Sequence, residues 1–193
     1  MSIQNINAVT DWCHHFIGLQ VSAGDVCIDA TAGNGHDTEL LCRLVGKKGK
    51  VYAFDIQEKA LEATYHRLKT FSLENRVTLI HGGHECMSDY IEKDIFGQVS
   101  CVVFNLGYLP GAAHDCCTRL DTTLKALETA LCLLQKRGMI SLCIYSGGDT
   151  GFAEREGILK WIRNLDHKKY LVIVSTYYNR PNHPPLPVVI YKL

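Results

Sequence analysis

The 193-residue chain has no run of eighteen apolar residues, so no segment reads as a membrane-crossing helix. No basic-then-apolar leader opens it, and the protein is therefore expected to remain in its compartment of synthesis, the cytoplasm, with no membrane partner. Charge of one sign is also missing. Lys+Arg and Asp+Glu are both 20, giving a formal net charge of zero. Any nucleic-acid surface must then be local, or assembled between the two subunits of a homodimer. Although there are nine cysteines, no Cys-x-x-Cys pair occurs. Cys13, Cys27, Cys42, Cys86, Cys101, Cys132 and Cys143 are dispersed, several within apolar runs, as small buried hydrophobes of a reducing compartment are. No metal site is expected, and the vicinal Cys116–Cys117 pair, in a loop, is the one to test for reactivity. Internal repeats, low-complexity segments and a second domain are absent, so one α/β domain over residues 1–193 is expected.

What is present is organised around residues 26–38, Val-Cys-Ile-Asp-Ala-Thr-Ala-Gly-Asn-Gly-His-Asp-Thr. An apolar strand ends in Asp29, a turn carries Gly33 and Gly35, and Asp37 and Thr38 stand where a helix begins. This strand–turn–helix order belongs to nucleotide-type cofactor sites. A Gly-x-Gly-x-x-Gly fingerprint starting at Gly33 would need a third glycine where Thr38 stands. Asp29, just before the turn, would repel a pyrophosphate but suits the sulfonium and ammonium of S-adenosylmethionine. Twenty residues beyond Gly35 a second strand ends in Asp55. Its carboxylate can accept from both ribose hydroxyls, which any adenosine cofactor needs.

Helical spacing of Ile3, Ile6, Val9, Cys13, Phe16 and Ile17 predicts an amphipathic helix over about 5–19. His14 and His15 beside it read as surface or satisfied core histidines. Further helices are expected over 36–45, 57–71, 121–135 and 152–164, and strands over 50–55, 76–81, 98–104, 139–145, 170–177 and 188–192. The last two strands are too closely linked for a parallel crossover and should be antiparallel. The fold class is thus α/β, Rossmann-like: a seven-stranded, mostly parallel sheet with an antiparallel C-terminal hairpin and helices on both faces. Gly83, His84 and Glu85 follow the third strand at the crevice that the first two strands face, as site candidates or as a capping turn.

Residues 105–111, Asn-Leu-Gly-Tyr-Leu-Pro-Gly, follow the fourth strand and are similar in order to the Asn-Pro-Pro-Tyr loop of amino methyltransferases. In such loops the Asn oxygen and the next carbonyl orient an amine, and an aromatic ring stacks on the substrate base. Leu106 and Gly107 replace the prolines. Asn105, Leu106 and Tyr108 are the candidates for placing the acceptor.

The stretches 29–38, 54–57, 83–85 and 104–110, with Asp121–Thr123 and Asn182–His183, together resemble the small bacterial proteins long labelled rRNA methylases. Members of that family are understood as tRNA methyltransferases that convert the 5-aminomethyl group of a wobble uridine, often 2-thiolated, to 5-methylaminomethyl. One departure is visible: Ser146-Gly147-Gly148 stands where the resemblance leads one to expect His-Gly-His.

The resemblance implies a class I methyltransferase using S-adenosylmethionine and acting on the anticodon arm of tRNA. Asp55 would hold the ribose, Ile56 and Gln57 would flank the adenine, and Gly33, Asn34, Gly35, Asp37 and Thr38 would hold the methionine part. Asp29, Gly83, His84, Glu85 and Asn105 would join the cofactor site. His84, Asp37 or water would take the amine proton. Phosphate contacts would come from Arg119, Arg155 with Lys160 and Arg163, Lys168–Lys169, and Arg180, with Asn182 and His183 beside them. Alternatives are an rRNA or small-molecule amine acceptor, an NAD-dependent oxidoreductase, and a non-catalytic adenosine-binding module.

Overall fold

The computed structural model describes residues 8–106, 118–145, 151–182 and 184–193. In chain order the elements are α1 (Val9–Gln20), β1 (Val26–Asp29), α2 (His36–Val45), β2 (Lys50–Asp55), α3 (Glu58–Thr70), β3 (Val77–His81), α4 (Met87–Tyr90), β4 (Val99–Leu106), α5 (Leu120–Leu133), β5 (Leu134–Ile144), α6 (Gly151–Arg163), β6 (Tyr170–Val174) and β7 (Leu186–Lys192). The seven strands form one sheet in the order β3-β2-β1-β4-β5-β7-β6. The β1–β2, β1–β4, β2–β3 and β4–β5 pairs are parallel, and β7 is antiparallel to both of its neighbours.

Strand alternation sorts the core into two layers. Cys27, Val51, Cys101, Val103 and Met139 pack against α1, α2 and α3 through Ile17, Leu41, Val45 and Leu68. Their neighbours Ile28, Tyr52, Val102, Phe104 and Ile140 pack against α4, α5 and α6 through Met87, Ile91, Leu127 and Ile158. The order of strands reverses between β1 and β4, and there the carboxyl ends of the strands leave a crevice flanked by helices of both layers.

The expected elements are present, with differences at their ends. The N-terminal helix is described from Val9, and the residues before position 8 lie outside the described ones, as do 107–117, 146–150 and 183. Thus Tyr108, the Cys116–Cys117 pair, Ser146–Gly148 and His183 are not placed. β4 continues to Leu106, whose partner is Ile144, so Asn105 sits on the strand and not on the loop after it. The helix predicted over 121–135 ends at Leu133. Leu133 and Leu134 are both fully buried, and the chain turns straight into β5. There residues 135–138 bulge opposite Ser100, with Arg137 at φ 64° and a register shift beside it. A side chain at Gly138 would come within 2.9 Å of the Gln135 and Val99 carbonyl oxygens, which is why glycine stands there. Gln20, the last residue of α1, pins the bulge by donating to the carbonyls of Arg137 (3.0 Å) and Ser100 (3.3 Å). β6 stops at Val174, short of the expected 177. Beyond Val174 its partner is Pro187, which accepts from the Ser175 amide at 2.9 Å but has no N–H to return.

Lys192, near the chain's end, donates from Nζ to the carbonyls of Leu131 (3.1 Å) and Leu134 (2.7 Å). It caps α5 where the helix gives way to β5, a favourable place for a cation. Replacing Lys192 with Met should keep the packing of the stem but lower stability by about 1 kcal/mol in urea unfolding; an unchanged midpoint would mean that water satisfies those carbonyls equally well.

Candidate active site

Five strand ends open on the crevice, and the turn after β1 crosses it. Asp29 is fully buried at the end of β1. Its Oδ2 accepts from the Thr38 hydroxyl at 2.6 Å and its Oδ1 from the Thr31 amide at 3.1 Å. One carboxylate thus fastens the start of the turn to the first turn of α2. Asp55 at the end of β2 accepts from the Gly33 amide (2.9 Å) and from the Gln57 amide (2.8 Å). The glycine turn is therefore tied at both sides to strand-end acids. Gly35 lies at φ 76°, and a side chain there would come within 2.9 Å of Thr64. Thr64 itself donates to the Gly33 carbonyl at 3.0 Å, so α3 clamps the turn from outside.

Asp37 is the meeting point of three elements. It is buried in the first turn of α2. Its Oδ1 is bonded to Nε2 of His14 on α1, and its Oδ2 accepts from Nδ2 of Asn105 on β4. The Asn105 backbone amide donates to the Thr31 hydroxyl at 2.7 Å, continuing the β4–β1 connection past the end of β1. Because an ionised carboxylate only accepts, the NH2 end of Asn105 faces Asp37 and Oδ1 is turned away from it.

The other predicted residues divide between the crevice and its supports. Asn34 and Ile56 are exposed and Gln57 is half-buried; Ile56, at 55% exposure, puts an apolar side chain beside Asp55 where an aromatic base could lie. Leu106 has its side chain in the core, and its carbonyl accepts from the Tyr145 amide at 3.2 Å. Gly83 and Glu85 flank His84 on the short turn before α4 and are half-buried. His84 is buried against the edge of Phe104, with ring centroids 5.9 Å apart, and bonds to the Ala30 carbonyl. Burial holds its pKa below the ordinary imidazole value. Phe104 and Asn105 point to opposite faces of β4, so His84 and the Asp37 cluster are separated by the sheet.

Among the basic residues, Arg119 precedes α5 and pairs with Asp121 at 3.5 Å, while Arg155 lies in the second turn of α6. Arg180 and Asn182 are exposed in the connection between β6 and β7. By topology all four stand at the carboxyl edge. Lys160 and Arg163 end α6, with Arg163 about 12 Å along the axis from Arg155, and Lys168–Lys169 precede β6 at the opposite edge.

His14 is the site residue that sequence reading set aside. Its helix shows a core stripe through Cys13 and Ile17, and nothing in the spacing links position 14 to position 37. Asp29 and His14 have displaced pKa values. The Asp29 carboxyl is pushed up to about 7 by burial and by the neighbouring Asp37 charge. For His14, burial lowers the pKa but the hydrogen bond and charge of Asp37 outweigh it, and the net shift is upward. A pocket with buried acids and exposed apolar and amide groups at its mouth favours a cationic, adenosine-bearing ligand. Those acids suit the charges of S-adenosylmethionine.

The family described as "Putative rRNA methylase" matches residues 51–191. The chain belongs to that family. The chain is 37% identical over 187 residues to the chloroplastic tRNA (mnm(5)s(2)U34)-methyltransferase of Arabidopsis thaliana, an alignment covering 92% of this chain and 67% of the relative. Ribosomal RNA small subunit methyltransferase H of Shewanella oneidensis is 35% identical over 92 residues, 47% of this chain but 28% of that protein. The crystal structure of an rRNA methylase homologue from Clostridium thermocellum superposes with a TM-score of 0.92 at 43% identity over the full length of both chains. A methyltransferase from Streptococcus mutans in complex with SAH gives 0.86 at 34% identity, covering 98% of this chain and 100% of that one. The protein is an S-adenosylmethionine-dependent RNA methyltransferase with the class I fold. Among the described residues, no helix is long and apolar enough to cross a membrane, and no cluster of three His, Cys, Asp or Glu could hold a metal.

The raised Asp29 pKa has a sign. A carboxyl that holds its proton more tightly when folded stabilises fully below the unfolded value of 3.8, and that contribution is lost as pH rises through about 7. Asp29→Asn should therefore gain in melting temperature relative to the parent as pH rises from about 4 to about 7, and the difference should level off above. Differential scanning fluorimetry across that range checks it; a difference independent of pH would contradict the shift.

Proposed function

We propose that this protein, acting in the cytoplasm as one domain over residues 1–193, methylates the 5-aminomethyl group of a (2-thio)uridine at the wobble position of tRNA. The observation that carries this reading is the Asn105 side chain. With its NH2 end given to Asp37, it offers an acceptor oxygen to the N–H of an amine, and the amine lone pair is then aimed by the remaining geometry. The Arabidopsis relative, whose name specifies a uridine 34 modification, supports the acceptor's identity.

S-adenosylmethionine supplies a methyl group already activated on sulfur. Asp55 would hold its ribose, Ile56 and Gln57 its adenine, and the 33–38 turn with Asp37 and Thr38 its methionine part; Gly83, His84 and Glu85 would support that site from the α4 side. Asp29, fully buried, acts through Thr38 and through its charge. The amine must be neutral to react. Desolvation in the crevice lowers its pKa, and the nearby carboxylates oppose this. Its proton goes to water, because His84 sits beyond β4. Asn105 orients the amine, with Leu106 contributing backbone, and Tyr108 would stack on the base.

The anticodon arm would dock along the carboxyl edge on Arg119, Arg155, Arg180 and Asn182, with His183 beside them. In a neutral protein a homodimer would join two such patches. Arg119→Glu combined with Arg180→Glu should raise KM for tRNA about 10-fold or more at low salt, with kcat little changed and the defect shrinking as salt rises.

The deciding experiment incubates tRNA from cells lacking this protein with labelled S-adenosylmethionine and separates nucleosides by mass spectrometry. Label on 5-aminomethyl-uridine derivatives is expected. Label in rRNA or a small amine, with tRNA unlabelled, would overturn the reading. Asn105→Ala should retain S-adenosylhomocysteine binding and lose about 10²-fold in turnover; unchanged turnover would remove the amine-aiming role.

A further inference from the structure

We propose that His14 is a positioning residue of this site, holding Asp37 and, through it, the side-chain amide of Asn105 in the orientation that the amine acceptor requires. The inference rests on the amine-acceptor reading above. Three elements distant in sequence converge here: α1 supplies His14, α2 supplies Asp37 and β4 supplies Asn105. No other described hydrogen bond holds the Asp37 carboxylate from the α1 side. Left with Asn105 alone, the carboxylate could rotate about its side-chain bonds and take the amide with it. The His14 bond removes that freedom.

His14 has a second effect, through charge. Asp37 and Asp55 bring carboxylates to the crevice, above an Asp29 that retains its proton more readily, and carboxylates near an amine keep it protonated and unreactive. An imidazolium on Asp37 offsets one of these charges without touching the substrate. The groups facing His14 are Asp37 on α2, Asp29 at the end of β1, Asp11 one turn earlier on α1, and His36 at the start of α2. Burial opposes the charged form, and the hydrogen bond and charge of Asp37, with the smaller contributions of Asp11 and Asp29, outweigh it. His14 keeps 28% of its side chain exposed, so it can exchange protons with solvent while remaining bonded to Asp37.

Two variants separate the effects. His14→Gln can still donate to Asp37 but carries no charge; His14→Ala does neither. On tRNA lacking the modification, both should keep KM for tRNA. His14→Ala should lower kcat about 10²-fold. His14→Gln should lose less at high pH, with the acidic limb of its kcat–pH profile displaced upward, because the amine then loses its proton less readily. A helix-packing role alone would lower melting temperature and leave that limb in place, and such a result overturns the proposal. A readout free of any substrate accompanies this. In ¹⁵N-correlated NMR of the apo protein, the Asn105 side-chain NH2 resonances should follow the His14 titration, and should lose that inflection in His14→Gln. If wild-type enzyme does not methylate this tRNA, the wobble-uridine reading fails while the NMR titration still decides whether His14 governs Asn105. An Asn105 amide that ignores the His14 titration refutes the coupling, whatever the substrate.

Discussion

The turn after β1 depends on one buried hydrogen bond, from the Thr38 hydroxyl to Asp29. Burying a carboxylate costs free energy unless its oxygens are satisfied, and here both are taken by the segment that must be held. The bond sets where α2 starts. That start in turn sets where Asp37 lies, and Asp37 ties α1 to β4. The same link presents the Gly33 amide to Asp55. Fold and chemistry share these contacts, so the strand-end acids both shape the crevice and give it its charge.

The two layers of helices contribute differently. α1, α2 and α3 carry the polar cluster and the glycine turn, while α4, α5 and α6 supply the larger core and the support under the turn. His84 belongs to the second group: it braces the Ala30 carbonyl and packs on Phe104. Glu154, also buried, accepts from the hydroxyls of Thr118 (2.8 Å) and Thr123 (2.7 Å) and so ties α6 to the entry of α5. Apart from Ser100 at the start of β4 and Ser141 within β5, the buried polar residues described here gather toward the carboxyl edge on both faces, where chain segments must be fixed without regular ladders.

The parts legible in the sequence were those written in local pattern. The 26–38 stretch announces strand, turn and helix by composition, and the acid at position 55 closes a second strand; those boundaries agree with β1, β2 and α2. The antiparallel ending followed from the shortness of the link before β7. What escaped was set by tertiary contact. Leu134 looks helical in its stripe, yet the pull of two buried leucines and the bulge at 135–138 makes it the first residue of β5. Asn105 reads as loop because prolines or glycines usually follow such residues, while pairing of β4 with β5 carries the strand on to Leu106. His14 could not be found, since its partner lies 23 positions away on another helix and no periodicity marks the pair.

The seat of α1 has a consequence for how the protein is made. This first helix rests on β5, with β4 and β7 beside it, and its last residue locks the bulge at 135–138. Emerging from the ribosome, it has only the α2 side of its seat to lie against until the second half of the chain follows it out. Most of the surface that seats α1, and the bulge that Gln20 holds, is thus supplied by chain that follows β3. A chain with β1 to β3 already formed holds its glycine turn but lacks Asn105, one of the two partners of Asp37, so chemical competence arrives together with completion of the sheet.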